Sequence, residues 1–240
     1  HAGGKFKNGA YNTSAGLHGV GLSVVNALSS KLNVEIIKNK NIYLQKYSKG
    51  KAINNLKKIS KSKKKSGTSI TFTPDVEIFG KELSFDAIKI YEMIKNKAFL
   101  FKGVKIIWEC NKKLINRKSN IPKKEILCFQ NGLESFLENE ISQKFIINKK
   151  IASTSITSED NQGKIEFSVQ WHKNSLPIKK SFCNTVYNMN GGTHEIGFKT
   201  GLIKALRKFA LKKNNKLVSK ASSDDIFQNC SFILSIFIQN

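Results

Sequence analysis

The segment Gly16-Leu17-His18-Gly19-Val20-Gly21 sits just ahead of an apolar, helix-forming stretch. Glycines let a backbone approach a phosphate chain closely. The first N–H groups of a helix point outward with the positive end of its macrodipole. The chemistry open to such a segment is the holding of an anion, with Lys5 a mobile cation nearby. A purely structural glycine turn satisfies the same spacing. The pattern is neither GxxxxGK followed by Ser or Thr nor a glycine turn following a strand, so those two phosphate-binding devices are excluded. Other chemistry-bearing residues are sparse. Cys110, Cys128, Cys183 and Cys230 stand far apart without a CxxC pair, and read as reduced, mostly buried thiols. His194 has no neighbouring nucleophile or ligand motif, and Glu195 has no second carboxylate positioned for acid–base work. Gly191-Gly192-Thr193-His194 reads as a structural turn feeding a helix.

The elements that would position these residues follow from periodicity. A helix over about residues 18–32 would carry Leu22, Val25, Leu28 and Leu32 as one stripe against a core. Short strands at 33–38 and 42–46 flank a polar turn, and 68–73 alternates Ile70 and Phe72 with Thr and Ser before Pro74-Asp75 ends it. Ser84 is the expected N-cap of a helix reaching about Phe99, with Ile88, Tyr91, Ile94 and Ala98 on one face. A strand at 103–109 and a polar linker at 111–124 close the first half. Beyond it, 132–141 reads as helix, and 164–171 and 181–186 as strands. The stretch 197–212 reads as an amphipathic helix with Phe198, Leu202, Leu206 and Phe209 inward and Lys199, Lys204, Arg207 and Lys208 outward. Ser223-Asp224-Asp225 starts a short helix, and 232–238 is a final apolar strand. The fold class is therefore α/β in the broad sense (α+β), as two α/β layers around two cores.

Charge and composition bound the partners. The 240 residues carry 41 Lys+Arg against 17 Asp+Glu, a net +24, which favours phosphate-rich partners. Abundant Lys, Asn and Ile would equally arise from an AT-biased genome, and Lys61-Ser62-Lys63-Lys64-Lys65-Ser66 reads as a solvated turn. With 40% hydrophobic residues the chain is no disordered basic tail. The absence of any run of about 18 apolar residues excludes a spanning helix. His1-Ala2-Gly3-Gly4-Lys5 has neither an initiator Met nor an apolar leader, and is expected to be an internal start.

Three stretches resemble one known family. His1-Ala2-Gly3-Gly4-Lys5-Phe6, Tyr11, Ser14 to Gly21 and Ser23-Val24-Val25-Asn26-Ala27-Leu28-Ser29 are similar to the ATP-lid region of bacterial type II topoisomerase B subunits. Gly67-Thr68-Ser69-Ile70-Thr71-Phe72-Thr73-Pro74-Asp75 resembles that family's GT.V.F.PD strand. Asn184-Thr185-Val186 with Gly191-Gly192-Thr193-His194, Ser223 to Phe227 and the strand at 231–239 are similar to its transducer domain. The Ser181-Phe182-Cys183-Asn184-Thr185-Val186 form looks closer to the topoisomerase IV branch than to gyrase. Ala15 departs from the family's second glycine.

The resemblance implies residues 1–118 as the C-terminal half of a Bergerat (GHKL) ATPase sandwich, and 119–240 as a ribosomal-protein-S5-like transducer. It implies that Gly16, Leu17, His18, Gly19, Val20, Gly21 and Leu22 wrap the ATP phosphates through backbone N–H groups, with Lys5 beside them. Tyr11 would bond the adenine, and Thr68 would line the pocket floor. In the family the general base (a Glu), the Mg2+-holding Asn and the adenine-binding Asp precede the equivalent of His1. A γ-phosphate lysine follows the equivalent of Asn240. No catalytic residue and no metal ligand is therefore expected within this chain, and the isolated 240 residues should bind ATP weakly and hydrolyse it negligibly. The implied function is part of an ATP-hydrolysing, cytoplasmic topoisomerase subunit that couples ATP binding and dimerisation to DNA strand passage. Its partners would be DNA, a topoisomerase A subunit and a second B subunit. The alternative is a truncated, non-catalytic, basic nucleic-acid-binding remnant. A chaperone-type ATPase of the same fold is disfavoured by the Gly-Gly-Thr-His and final-strand matches.

Overall fold

Asn39 and Lys40, with φ of 51° and 61°, form the two-residue turn of a hairpin whose strands are β1 (Ser29–Lys38) and β2 (Asn41–Ser48). Positive φ at both central positions matches the right-handed twist of the flanking strands. The computed structural model describes residues 19–115, 120–141, 146–159, 163–173 and 176–238. Within them, 19–85 form one compact unit and the residues from Asp86 onward a second.

The first unit is an antiparallel sheet. β1 lies between β2 and β5 (Ser66–Pro74), while β3 (Lys51–Ala52) and β4 (Lys57–Lys61) both pair with the far edge of β2. The helix α1 spans Gly21–Ala27, not 18–32, and none of its residues is buried. Leu22 is 42% exposed, and Leu32 is buried as a strand residue. The helix stops because Ser29 is claimed by the sheet. It pairs with Pro74, while its hydroxyl donates to the Val25 carbonyl at 2.6 Å. The stripe's spacing is helical, but hydrogen bonding to β2 and β5 outweighs it. The Lys-rich run forms the exposed β4–β5 turn, tied by Ser62 N–H to the Lys40 carbonyl and Lys40 N–H to the Lys65 carbonyl. A short helix α2 (Val76–Phe79) follows β5.

The second unit holds all three buried apolar clusters found among the described residues, where the sequence pattern suggested one core in each half. Helix α3 spans Ala87–Leu100, and its N-cap is Asp86, not Ser84. The Asp86 carboxylate accepts from the Ile88 and Lys89 N–H groups, both at 3.1 Å. Strands β6 (Ile106–Glu109) and β7 (Lys124–Leu127) form a hairpin under α3, and a 3-10 turn at Lys112–Leu114 falls within the expected linker. Packing therefore divides the chain at Phe85–Asp86. The expected family boundary at 118/119 falls at residues outside the described ones.

A five-stranded sheet runs β11-β10-β12-β9-β8, with β8 (Ala152–Thr157), β9 (Gly163–Trp171), β10 (Lys179–Cys183), β11 (Val186–Tyr187) and β12 (Cys230–Ile238). Only β10 and β12 are parallel. α4 (Leu133–Glu140) and the end of α3 cover one face through stacked Phe99 and Phe136, whose rings are 4.7 Å apart, with Phe182 and Ile233. α5 (Thr193–Lys212) covers the other through Phe198, Leu202 and Leu206 against Phe232 and Leu234. Phe209, expected inward, is 61% exposed, and Ala210 is buried instead. The Lys213 and Asn215 N–H groups close onto the Ala210 carbonyl, which folds the chain back over that side into α6 (Lys216–Ser219). The last helix, α7 (Ser223–Phe227), starts with a capping box between Ser222 and Asp225.

Replacing Asp86 by Ala leaves two first-turn N–H groups of α3 without their acceptor. It should cost about 1 kcal/mol in urea unfolding, whereas Ser84→Ala should change nothing measurable. A second expectation concerns His172, which is 2% exposed with Nε2 2.6 Å from Ser231 Oγ. Burial lowers its pKa from 6.5, so the folded chain takes up this proton less readily than the unfolded one. Its contribution is fully present above the ordinary imidazole value and is lost as pH falls below it. Urea unfolding at pH 7.5 and 5.5 should therefore show a smaller acid-induced loss of stability in His172→Gln than in the parent.

Candidate nucleotide site

Of the residues implicated in phosphate and adenine binding, Gly19, Val20, Gly21, Leu22 and Thr68 are described. Lys5, Tyr11, Gly16, Leu17 and His18 lie outside the described residues. Gly19 takes φ +62°, a left-handed conformation that costs a residue with a Cβ about 1–2 kcal/mol. It delivers the chain to Val20, the N-cap of α1, whose side chain offers no oxygen to the first turn. The leading N–H groups of a helix have no intrahelical acceptor. At Gly21 a Cβ would meet no described atom within 4 Å. An oxyanion fits this donor set: backbone amides at a helix start, with no side-chain cap among the described residues.

A polar knot fixes where α1 ends. Asp75 N–H donates to the Leu28 carbonyl at 3.0 Å, and Lys49 N–H to the Ser29 carbonyl at 2.8 Å. Ser48 Oγ donates to the Ser30 carbonyl at 2.9 Å. Asp75 is 3% exposed, and its carboxylate accepts from Glu77 N–H as the cap of α2. Lys49 Nζ lies 3.4 Å from Asp75 and 2.5 Å from Glu77, and the Glu77 carboxylate foremost holds the ammonium above its ordinary pKa. The turn Lys49-Gly50, at φ 48° and 82°, brings Gly50 against α1, where a Cβ would come 3.4 Å from Ala27 Cα. Reading the sequence missed this knot. Its available signal was an Asp after Pro74 with an acid two residues later, a helix start rather than a mere strand end.

Thr68 is exposed on β5 opposite Ile36, whereas Pro74 pairs with Ser29 where α1 enters the sheet. Six residues of strand therefore separate Thr68 from that junction, about 20 Å along β5. The structure brings Gly19 to Leu22 together at one helix start. α1 packs on β1 and β2, and Thr68 is not among its principal contacts.

The remaining chemistry is structural. Among the described residues no three His, Cys, Asp or Glu side chains gather to hold a metal ion. All four cysteines are free. Cys110 and Cys230 are buried and Cys128 and Cys183 half-buried, and burial pushes the Cys230 thiol up to about 12. Gly191, at φ +68°, takes the left-handed conformation that favours glycine at the start of α5. Glu195 is engaged by Lys199 at 2.6 Å.

Comparison with known proteins places this geometry. The DNA gyrase B family model matches residues 132–240. Over 239 residues, 99% of its length, the chain is 42% identical to the B subunit of DNA topoisomerase 4 from Rickettsia typhi. It is 37% identical over its whole length to the same protein of Caulobacter vibrioides. The chain belongs to the bacterial gyrase B and topoisomerase IV B-subunit family. It spans about a third of the length of these relatives, 36% and 35%. The 43K ATPase domain of Thermus thermophilus gyrase B, solved with an aminocoumarin, superposes at TM-score 0.79 with 27% identity. That match covers 93% of this chain and 59% of the other. The topoisomerase IV ATP-binding domain of Francisella tularensis, solved with a small-molecule inhibitor, gives TM-score 0.69 with 26% identity over 95% and 60%.

Removing the Asp75 carboxylate should loosen the junction that seats α1. Asp75→Ala is expected to lower stability by about 1–2 kcal/mol, through loss of the α2 cap that accepts from Glu77 N–H. Lys49→Met, which cuts an exposed pair to Glu77 and a longer one to the buried Asp75 carboxylate, should cost less than Asp75→Ala. Urea titration followed by Tyr and Trp fluorescence checks both.

Proposed function

We propose that this chain is the part of a type II DNA topoisomerase B subunit that closes over ATP and relays its binding to the DNA-passing machinery. The observation that carries this reading is 37–42% identity to topoisomerase IV B subunits sustained from the glycine segment to the last strand. The whole protein is then an ATP-hydrolysing isomerase. Its partners are DNA, a topoisomerase A subunit and a second copy of the B subunit, and its compartment is the cytoplasm. Among the described residues no helix is long and apolar enough to cross a membrane.

On this reading residues 1–118 belong to the ATPase domain and 119–240 to the transducer. The backbone amides from Gly16 to Leu22 hold the ATP phosphates, Lys5 neutralises them, Tyr11 bonds the adenine and Thr68 supplies a polar floor. The start of α1, which has no side-chain cap among the described residues, supports the first of these roles. Positioned amides of this kind stabilise charge without a proton transfer of their own. The general base and the Mg2+ ligand come from other parts of the protein. The basic surface then serves the transported DNA duplex.

The test uses the full-length gene product with its A subunit. ATP-dependent relaxation and decatenation are expected, and Gly19→Ala and Lys5→Ala should each lower ATP turnover about 10²-fold by displacing the phosphates. The isolated 240 residues should show negligible hydrolysis. Robust turnover by them would overturn the placement of base and metal ligand elsewhere. A full-length product with salt-sensitive but nucleotide-insensitive DNA affinity, and no strand passage, would favour the non-catalytic remnant.

A further inference from the structure

In the second unit the end of α5 folds back into α6, and together with α7 and the end of β9 they wall an open groove of about 480 Å3. Its lining is apolar, from Trp171, Leu206, Leu217, Val218 and Ile226, apart from Asp225. The Asp225 carboxylate is already engaged, accepting from Ser222 N–H at 2.8 Å and Oγ at 2.7 Å. The groove is braced rather than loose. Arg207 donates from Nε and Nη2 to the Ala221 carbonyl at 3.0 and 2.6 Å, and the Asn215 side chain caps α6 through Val218 N–H at 3.1 Å. Trp171 Nε1 donates to the Ile226 carbonyl at 2.8 Å, so the indole presents its apolar part.

Two further features mark the segment that walls this cleft. Leu217 is 87% exposed, and Leu211 and Phe209 on the adjoining end of α5 are 65% and 61% exposed. From Ile196 to Ser223 the chain carries eight cations and no carboxylate. Lys216 and Lys220 flank the groove-lining Leu217 and Val218 in the chain, and neither forms an ion pair with another described residue, whereas Lys199 is paired with Glu195.

We propose that this groove is a docking site for an acidic amphipathic helix of a partner protein. Apolar side chains at i and i+3 or i+4 fill the cleft between α5 and α6, and flanking carboxylates meet the unpaired lysines. Charge complementarity selects this occupant. A second copy of the chain would bring the same cations to a surface already at net +24. Nucleic acid would satisfy the lysines but leave Leu217, Val218 and Leu211 uncovered, since phosphate contacts need no apolar cleft. A bilayer surface offers no protruding side chain to fill a concave site, and favours a continuous apolar helix face instead. The proposal stands apart from the nucleotide reading, because none of these residues belongs to the glycine segment.

The test selects binders from a displayed library of helical peptides against the full-length gene product. It then measures the enriched peptides by fluorescence anisotropy against the parent and two variants. Leu217→Ser changes an exposed side chain and leaves the packed core intact. Lys216→Glu combined with Lys220→Glu reverses the rim charge. Support is enrichment of Glu- and Asp-rich sequences with apolar residues three or four apart, affinity that falls with salt, and about tenfold weaker binding to each variant. Circular dichroism and ATP turnover unchanged in Leu217→Ser keep the reading specific to the groove. The proposal is overturned if nothing is enriched, if neutral or basic peptides are enriched, or if affinity is unaltered by Leu217→Ser. It is overturned equally if a duplex oligonucleotide or phosphatidylglycerol vesicles, rather than acidic peptides, are the probes whose binding Leu217→Ser weakens.

Discussion

Strand β12 is paired along both edges and buried on both faces, and the second unit is organised around satisfying it. Its edges are taken by β9, antiparallel from Cys230 to Ile238, and by β10, parallel from Phe232 to Ile236. Its faces alternate, Phe232 and Leu234 toward α5 and Ile233 toward α4. A strand enclosed in this way must be apolar almost without interruption, which is why Cys230–Ile238 reads as a continuous run rather than an alternating one. The parallel partner forces a long return, and α5, α6 and α7 are that return. The sheet, its covering helix and the groove at the far end of that helix thus descend from one strand's burial.

The first unit obeys a different constraint. Its sheet has no buried apolar cluster among the described residues, so hydrogen bonds and turn geometry carry more of the burden of defining it. Among the described residues three two-residue turns have both central residues at positive φ, at Asn39-Lys40, Lys49-Gly50 and Asn184-Thr185, and two of them set the register of this sheet. The third, in the second unit, is held from both sides. Lys97 Nζ donates to the Thr185 carbonyl and hydroxyl at 2.7 and 2.5 Å, and Asn184 pairs through its amide with the backbone of Ile238. A β-branched residue is uncommon at such a φ. Here the lysine's desolvation, which lowers its pKa, accompanies contacts that hold the turn.

Legibility in the sequence tracked how far each element's own pattern agreed with its surroundings. α5 and β12 were readable because long helical or unbroken apolar runs persist where packing demands them. β8, in contrast, is Ala-Ser-Thr-Ser-Ile-Thr on a sheet edge, with too little apolar content to announce a strand. β4, Lys-Lys-Ile-Ser-Lys, is hidden for the same reason. α1 was over-extended because Leu28 and Leu32 continue a helical spacing that cross-strand pairing from Ser29 onward overrides. Asp86 displaced Ser84 as a cap because both types accept a first-turn N–H, and local sequence does not decide between two good caps two residues apart. At the candidate site, residue type was enough to place Gly19 to Leu22 at a helix start. Residue type could not reveal the buried Asp75 that anchors the junction behind it.

Net charge alone discriminates poorly between partners, because exposed lysines distributed over a surface give a broad potential whatever their purpose. Position relative to apolar surface is more informative. Around the β4–β5 turn the lysines surround backbone hydrogen bonds, so their simplest consequence is solvation. On α5 and α6 the same residue type adjoins a braced apolar groove, and no carboxylate intervenes for 28 residues from Ile196 to Ser223. Apolar surface left open beside unpaired charge costs hydration of the former without pairing the latter. A ligand that supplies both an apolar ridge and carboxylates relieves the two together, and a ligand that supplies only one relieves only one.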